Sequence, residues 1–316
     1  MNKILLLLLI VVLAGCQTLR EGMVVHRPAS PIAADSAALF SGQFDNHEQV
    51  WSAREHAPSA MMPPHVIVNL AATKDPAWST WHIELDATAS LDALWAMQRV
   101  VAADGSLSLL PYRALVAGAG IGAAFDAKQW TPLDACALRG EVGASRVHVA
   151  AEPIACAALA PGVGPQAALL PLAIEREGEW LHVRLFTDQA RGADVREDAR
   201  KVETYTGWAA INGAGPQGAA DGKDWHMDRS LHLGSEGGRT PLTWRDGKAS
   251  GYSLRLERLT YGDDNVAVLK LSLVEDQSDR TLAYAWANPE ATRIGLSVGW
   301  VQVGLERAIT PATGKR

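Results

Sequence analysis

The sequence predicts a mainly β protein: an antiparallel, barrel-like body with an N-terminal helix and additional antiparallel strands toward the C-terminus. Three observations lead there. From about residue 64, short segments alternate apolar and polar residues with a period of two, as a strand with one buried face does. Explicit turn sequences separate them: Ala103-Asp104-Gly105, Arg176-Glu177-Gly178-Glu179, Arg245-Asp246-Gly247-Lys248 and Gly262-Asp263-Asp264-Asn265. Helical segments do not alternate with the strands, so the crossovers of a parallel sheet are missing and the strands read as hairpins. The 316 residues suffice for one large core or two smaller ones.

Taken in order, residues 1–15 read as a secretory signal peptide: Lys3, an apolar run from Ile4 to Ala14, then Gly15. That run is shorter than the roughly 20 apolar residues that span a bilayer. Its ending, Leu13-Ala14-Gly15-Cys16, resembles the lipobox of bacterial lipoproteins, whose cysteine is lipidated and becomes the first mature residue. The resemblance implies a lipid anchor on Cys16. In Gram-negative bacteria an Asp after that cysteine retains the protein in the inner membrane; Gln17 therefore points to the outer membrane, periplasmic face. Residues 16–34, with Pro28, Pro31 and many small residues, read as a tether. A helix is expected from Asp35 or Ser36, with Leu39, Phe40, Phe44, Val50 and Trp51 on one face, ending by His56-Ala57-Pro58.

The barrel-like region is expected over 35–310, its strands at His65–Leu70, Trp78–Leu85, Trp95–Val101, Arg146–Ala150, Leu169–Arg176, Trp180–Phe186 and Val202–Ile211. The pattern resumes at Tyr252–Tyr261, Val266–Val274, Leu282–Ala287 and Ile294–Leu305. The Gly/Ala-rich stretch at 212–222 is the candidate internal boundary. Cys136 and Cys156 form an even pair, which an oxidising periplasm turns into a disulfide; two buried free thiols are the alternative.

The formal charge is −6, and −7 once Lys3 leaves with the signal peptide. A mildly acidic chain without a Lys/Arg cluster carries no electrostatic footprint for nucleic acid. Gly118, Gly120 and Ala123 match the G-x-G-x-x-A form of a dinucleotide turn, with Glu141 about 20 residues on, but no βαβ series surrounds them and a small-residue loop is the better reading. The nine histidines form no H-E-x-x-H or C-x-x-C zinc pattern; His226 and His232 are read as a solvated strand edge and no metal site is assigned. There is no G-x-S-x-G elbow. Eleven tryptophans against four phenylalanines and five tyrosines can line a ligand cavity or fill a core.

The segment Leu39-Phe40-Ser41-Gly42-Gln43-Phe44-Asp45-Asn46-His47-Glu48-Gln49 resembles the N-terminal motif of the CpeT/CpcT family of phycobiliprotein chromophore lyases. Leu110-Pro111-Tyr112-Arg113 is similar to that family's Pro-Tyr-Arg motif. The resemblance covers roughly 36–210 and stops before 222–310. It implies a calycin-like barrel holding an open-chain tetrapyrrole, a bilin, with Gln49, Tyr112 and Arg113 as the ligand-binding candidates; catalytic residues stay unassigned. Arg113 would pair a propionate and Tyr112 would donate to a ring oxygen. Exported location is a departure from the family's setting inside the cell. Three readings follow: a periplasmic lipoprotein binding a small apolar or tetrapyrrole-like ligand, a bilin lyase, and a structural envelope lipoprotein with a protein partner.

Overall fold

The computed structural model describes residues 39–56, 61–86, 91–143, 145–192, 195–218, 223–262 and 266–308. The expected signal peptide, tether and Cys16 lie outside them. The chain is mainly β. Eleven strands form the first sheet: β1 (Gly42–Asp45), β2 (His65–Ala72), β3 (Trp78–Asp86), β4 (Leu91–Val101), β5 (Ser106–Ala114), β6 (Trp130–Pro132), β7 (Leu138–Val142), β8 (Arg146–Ala150), β9 (Pro171–Glu177), β10 (Trp180–Leu185) and β11 (Glu197–Lys201). Ten close into an antiparallel barrel, because β5 pairs with β4 along one edge and with β7 along the other, while β1 joins β2 to β11. The short β6 pairs only with the far end of β5.

Alternation decides which side chains enter the barrel. In β2, Val66, Val68 and Leu70 point in; in β10, Leu181, Val183 and Leu185 do. Phe44, Val66, Val68, Trp81, Ile83, Trp95, Met97, Val147, Val149 and Val183 are all 0 % exposed. A void able to hold water would leave the residues beside it accessible surface, so none borders these side chains. Two of the eleven tryptophans, Trp81 and Trp95, are thus core filler.

Residues 42–45 correct the expected helix. They form β1, and Phe44 enters the barrel between Val68 and Lys201 on its two partner strands. Closing the barrel satisfies this segment's backbone on both sides, which overrides a loose helical periodicity. The helix α1 (His47–His56) begins only after it; the Asp45 carboxylate accepts the His47 backbone N–H at 2.8 Å. Glu48 in its first turn and Arg54 and His56 in its last suit the helix dipole.

The remaining strands are β12 (Thr204–Asn212), β13 (Trp225–Gly234), β14 (Glu236–Thr243), β15 (Ala249–Tyr261), β16 (Val266–Glu275), β17 (Arg280–Ala287), β18 (Arg293–Val298) and β19 (Val301–Arg307). They form two four-stranded antiparallel sheets, β13-β12-β19-β18 and β14-β15-β16-β17, which share a second core of Tyr205, Ile211, Leu254, Leu256, Leu271, Val301 and their neighbours. The segment expected as one element at Ile294–Leu305 is two strands, turned at Gly299. One core ends at Ala199 and the other begins at Tyr205, while the stretch after Asn212 leads from β12 into its partner β13.

Cys136 and Cys156 are disulfide-bonded, with Cα atoms 4.5 Å apart. Cys136 sits on a 3-10 turn, and Cys156 on the short helix α2 (Pro153–Ala157). The bond ties together the two ends of the β7–β8 hairpin.

Candidate functional site

Helix α1 lies where the two cores meet, and polar contacts fix it there. The Gln49 Oε1 accepts the Asp198 backbone N–H at 3.1 Å and the Asn46 Nδ2 at 3.0 Å, while its Nε2 donates to the Arg196 carbonyl at 3.0 Å. Asn46 Nδ2 also donates to the Glu197 Oε2 at 2.9 Å, and Asn46 Oδ1 accepts the Val66 backbone N–H at 2.7 Å. The helix is therefore clamped to β11 by side chains rather than by an apolar face, and none of its residues is fully buried.

Between α1, the outer face of β10–β11 and the tip of β15 runs a groove of about 670 Å³. Glu48, Gln49, Ser52 and His56 line it from the helix and Trp180, His182 and Asp198 from the barrel, as do Thr260 of β15 and Gly262 just after it. Period two puts Trp180 and His182 on one face of β10. Their rings are parallel within 7°, with centroids 6.2 Å apart. His182 Nδ1 bonds Asp198 Oδ1 at 2.5 Å, leaving Nε2 without a hydrogen bond among the described residues. Arg200 lies 5.2 Å above the Trp180 ring and pairs with Glu48 at 2.7 Å, so the indole is held from behind. The groove thus combines a flat aromatic wall with two carboxylates and two imidazoles, and on its helical side Ser52 Oγ lies 3.4 Å from His56 Nδ1.

Behind this wall lies a buried acidic cluster. Arg191 bridges Asp188 at 3.2 Å and Glu197 at 2.5 Å. Burial pushes the Glu197 carboxyl up to about 7, against the pull of the Arg191 hydrogen bond and with a further push from the Asp188 charge. Burial raises Asp188 as well.

Of the sequence-predicted residues, Gln49 lines the groove and positions its helix. Tyr112 and Arg113 are elsewhere, on β5. The Tyr112 hydroxyl donates to Gln98 Oε1 at 2.8 Å and its ring packs on Trp78 at 4.8 Å; burial, then the Asp134 charge, raises its pKa. Arg113 donates to the Gly162 carbonyl at 3.1 Å. Tyr112 belongs to a small apolar cluster on the outside of the barrel with Ala96, Trp130 and Phe125. The Gly118–Ala124 loop is tied near it: the Gly122 N–H donates to Thr80 Oγ1 and the Gly120 N–H to Gln129 Oε1. Among the described residues no group of three or more His, Cys, Asp or Glu is arranged to hold a metal ion. Sequence reasoning missed Trp180, His182 and Asp198 as a set. Their one sequence signal was an aromatic and an imidazole two apart on a predicted strand.

No family model matches this chain, and no curated protein matches it.

Proposed function

We propose that this is a binding protein of the bacterial envelope, tethered to the outer membrane through lipid on Cys16, which takes a small ring-shaped ligand in the groove beside α1. The observation that carries the reading is the parallel Trp180–His182 wall in a groove of about 670 Å³ between two packed units. Small-molecule sites favour such junctions and measure roughly 300–1,000 Å³. A flat conjugated ring would stack on the wall, and N–H groups on its rim would find Asp198 as acceptor. A linear tetrapyrrole offers both. The tether rests on Ile4–Ala14 followed by Gly15-Cys16, and the tetrapyrrole class on the motif resemblance at Leu39–Gln49.

The test is a titration of the protein with biliverdin, followed by absorption and by tryptophan fluorescence, alongside native mass spectrometry of protein from its own envelope. The expected result is a saturable one-to-one complex that Trp180→Ala weakens about tenfold, the scale of one lost aromatic contact. Equal binding by Trp180→Ala would remove the ligand from this groove. A colourless, ligand-free mass together with no biliverdin response would leave the tetrapyrrole class without support.

A further inference from the structure

The other flank of α1 carries a different surface. Tyr284 and Trp286, on the outer face of β17, are 54 % and 56 % exposed, although aromatic side chains of this size ordinarily bury most of their area. They stack at 5.2 Å and 28°. Trp286 continues to Tyr261 at 5.7 Å and 40°, and Tyr261 meets Trp51 of α1 edge-on at 4.9 Å and 68°, so four rings run in contact from β17 to the helix and form a stepped ledge. Strand register produces it: Lys270 of β16 stands directly opposite Trp286, and its ammonium lies 5.9 Å from the Tyr261 ring and 5.7 Å from the Tyr284 ring.

The ledge borders a pocket of about 690 Å³, to which Trp51 and Lys270 both belong. The other side chains that matter in it are Arg54, Arg255, Glu257 and Asp279. Arg255, Glu257 and Asp279 are held in place by one another. Arg255 pairs with Glu257 and Asp279, both at 3.3 Å, and His47 Nε2 lies 3.0 Å from Glu257 Oε1. Burial alone would raise Glu257, but the His47 hydrogen bond and the Arg255 charge hold it below the ordinary carboxylate range, so a fixed, ionised carboxylate stands in the pocket wall.

We propose that the Trp51–Tyr261–Trp286–Tyr284 ledge and the pocket it borders bind a glycan chain. A sugar ring has an apolar face of C–H groups, which packs on an aromatic ring, and a rim of hydroxyls, which pair with planar guanidinium and carboxylate groups. A row of connected rings beside immobilised Arg, Glu and Asp side chains supplies both requirements over more than one sugar unit. An anionic lipid surface or a nucleic acid fits less well, because Glu55, Glu257 and Asp279 offset Arg54, Arg255 and Lys270 in the same pocket and leave no cationic excess for phosphate.

The experiment is calorimetric titration of the full chain with cellotetraose and with chitotetraose, with tryptophan fluorescence as the second readout. Saturable binding of at least one is expected, weakened tenfold or more in Trp286→Ala and in Tyr284→Ala. Both side chains are exposed, so both variants should keep the wild-type circular dichroism and melting point. Trp180→Ala should bind sugar as the wild type does, which separates this site from the groove on the other flank of α1. No saturable heat with either oligosaccharide, or equal binding by Trp286→Ala, overturns the proposal.

Discussion

Glu197 shows how one residue couples the acidic cluster to the helix that forms the groove. Its side chain is fully buried, accepts a hydrogen bond from Asn46 at the start of α1, and titrates near 7 in the folded protein instead of near 4.5. Between these two values the folded chain holds a proton that the unfolded chain has released. The contribution of Glu197 to stability is therefore greatest at the acid end of this window, falls as pH rises from about 4.5 to 7, and levels off above. The lowered carboxyls Glu175, Glu257, Asp276 and Asp279 act in the opposite sense, and only below the ordinary carboxylate range. Glu197→Gln keeps an acceptor for Asn46 and removes the titration. Urea unfolding at pH 5, 6 and 7 should show the wild type losing about 2 to 3 kcal/mol more than the variant across the window. Parallel pH profiles would mean that the Glu197 carboxyl is not the group that titrates.

Among the described elements, the β7–β8 hairpin is secured covalently. The Cys136–Cys156 bond joins residues 20 apart and closes the segment that contains both strands. Restricting the unfolded chain over a loop of this length stabilises the fold by about 3 kcal/mol. The double variant Cys136→Ser/Cys156→Ser should lose that amount in urea unfolding and become insensitive to reductant, with strand content by circular dichroism unchanged; an unaltered midpoint would show that the barrel fixes the hairpin unaided. Elements also mark where the sequence was readable. β2, β8 and β10 alternate cleanly because one face meets an apolar core, β15 and β16 alternate over residues 254–256 and 269–271, and the turns after Val101, Glu177 and Thr243 announce their hairpins. β11, reading Glu-Asp-Ala-Arg-Lys, and β14, rich in Gly with Pro241, show no such pattern. What they bury is charge: Glu197 and Arg200 on one, Glu236 on the other. A strand whose inward partners are ions has no apolar period to read. The groove was illegible for the same reason. Gln49 stood in a recognisable motif, but Trp180, His182 and Asp198 converge with it only through the register of β10 on β11 and the placement of α1.

At the scale of the whole molecule, two apolar cores are joined by a shared ionic centre. Glu236 is fully buried between Arg200 of the barrel at 2.8 Å and Arg258 of β15 at 2.5 Å. Those arginines reach on to Glu48 of α1 at 2.7 Å and to Glu179 of the β9–β10 turn at 2.8 Å. Burial pushes Glu236 up while both guanidinium groups pull it down; burial lowers Arg258 while the Glu236 charge raises it. Such a centre contributes little net stability compared with apolar packing, but removing one member strands the others in a dry environment. Glu236→Gln keeps the shape and leaves two guanidinium groups facing a neutral amide. The expected cost is about 3 to 5 kcal/mol. Because Glu236 holds both units, its loss should also separate them thermally: calorimetry should show one transition for the wild type and two for the variant. The groove is built from both units, so Trp180 fluorescence should change with the first of those transitions. Two transitions already present in the wild type, with a spacing that Glu236→Gln leaves alone, would show that the ionic centre does not couple the two units.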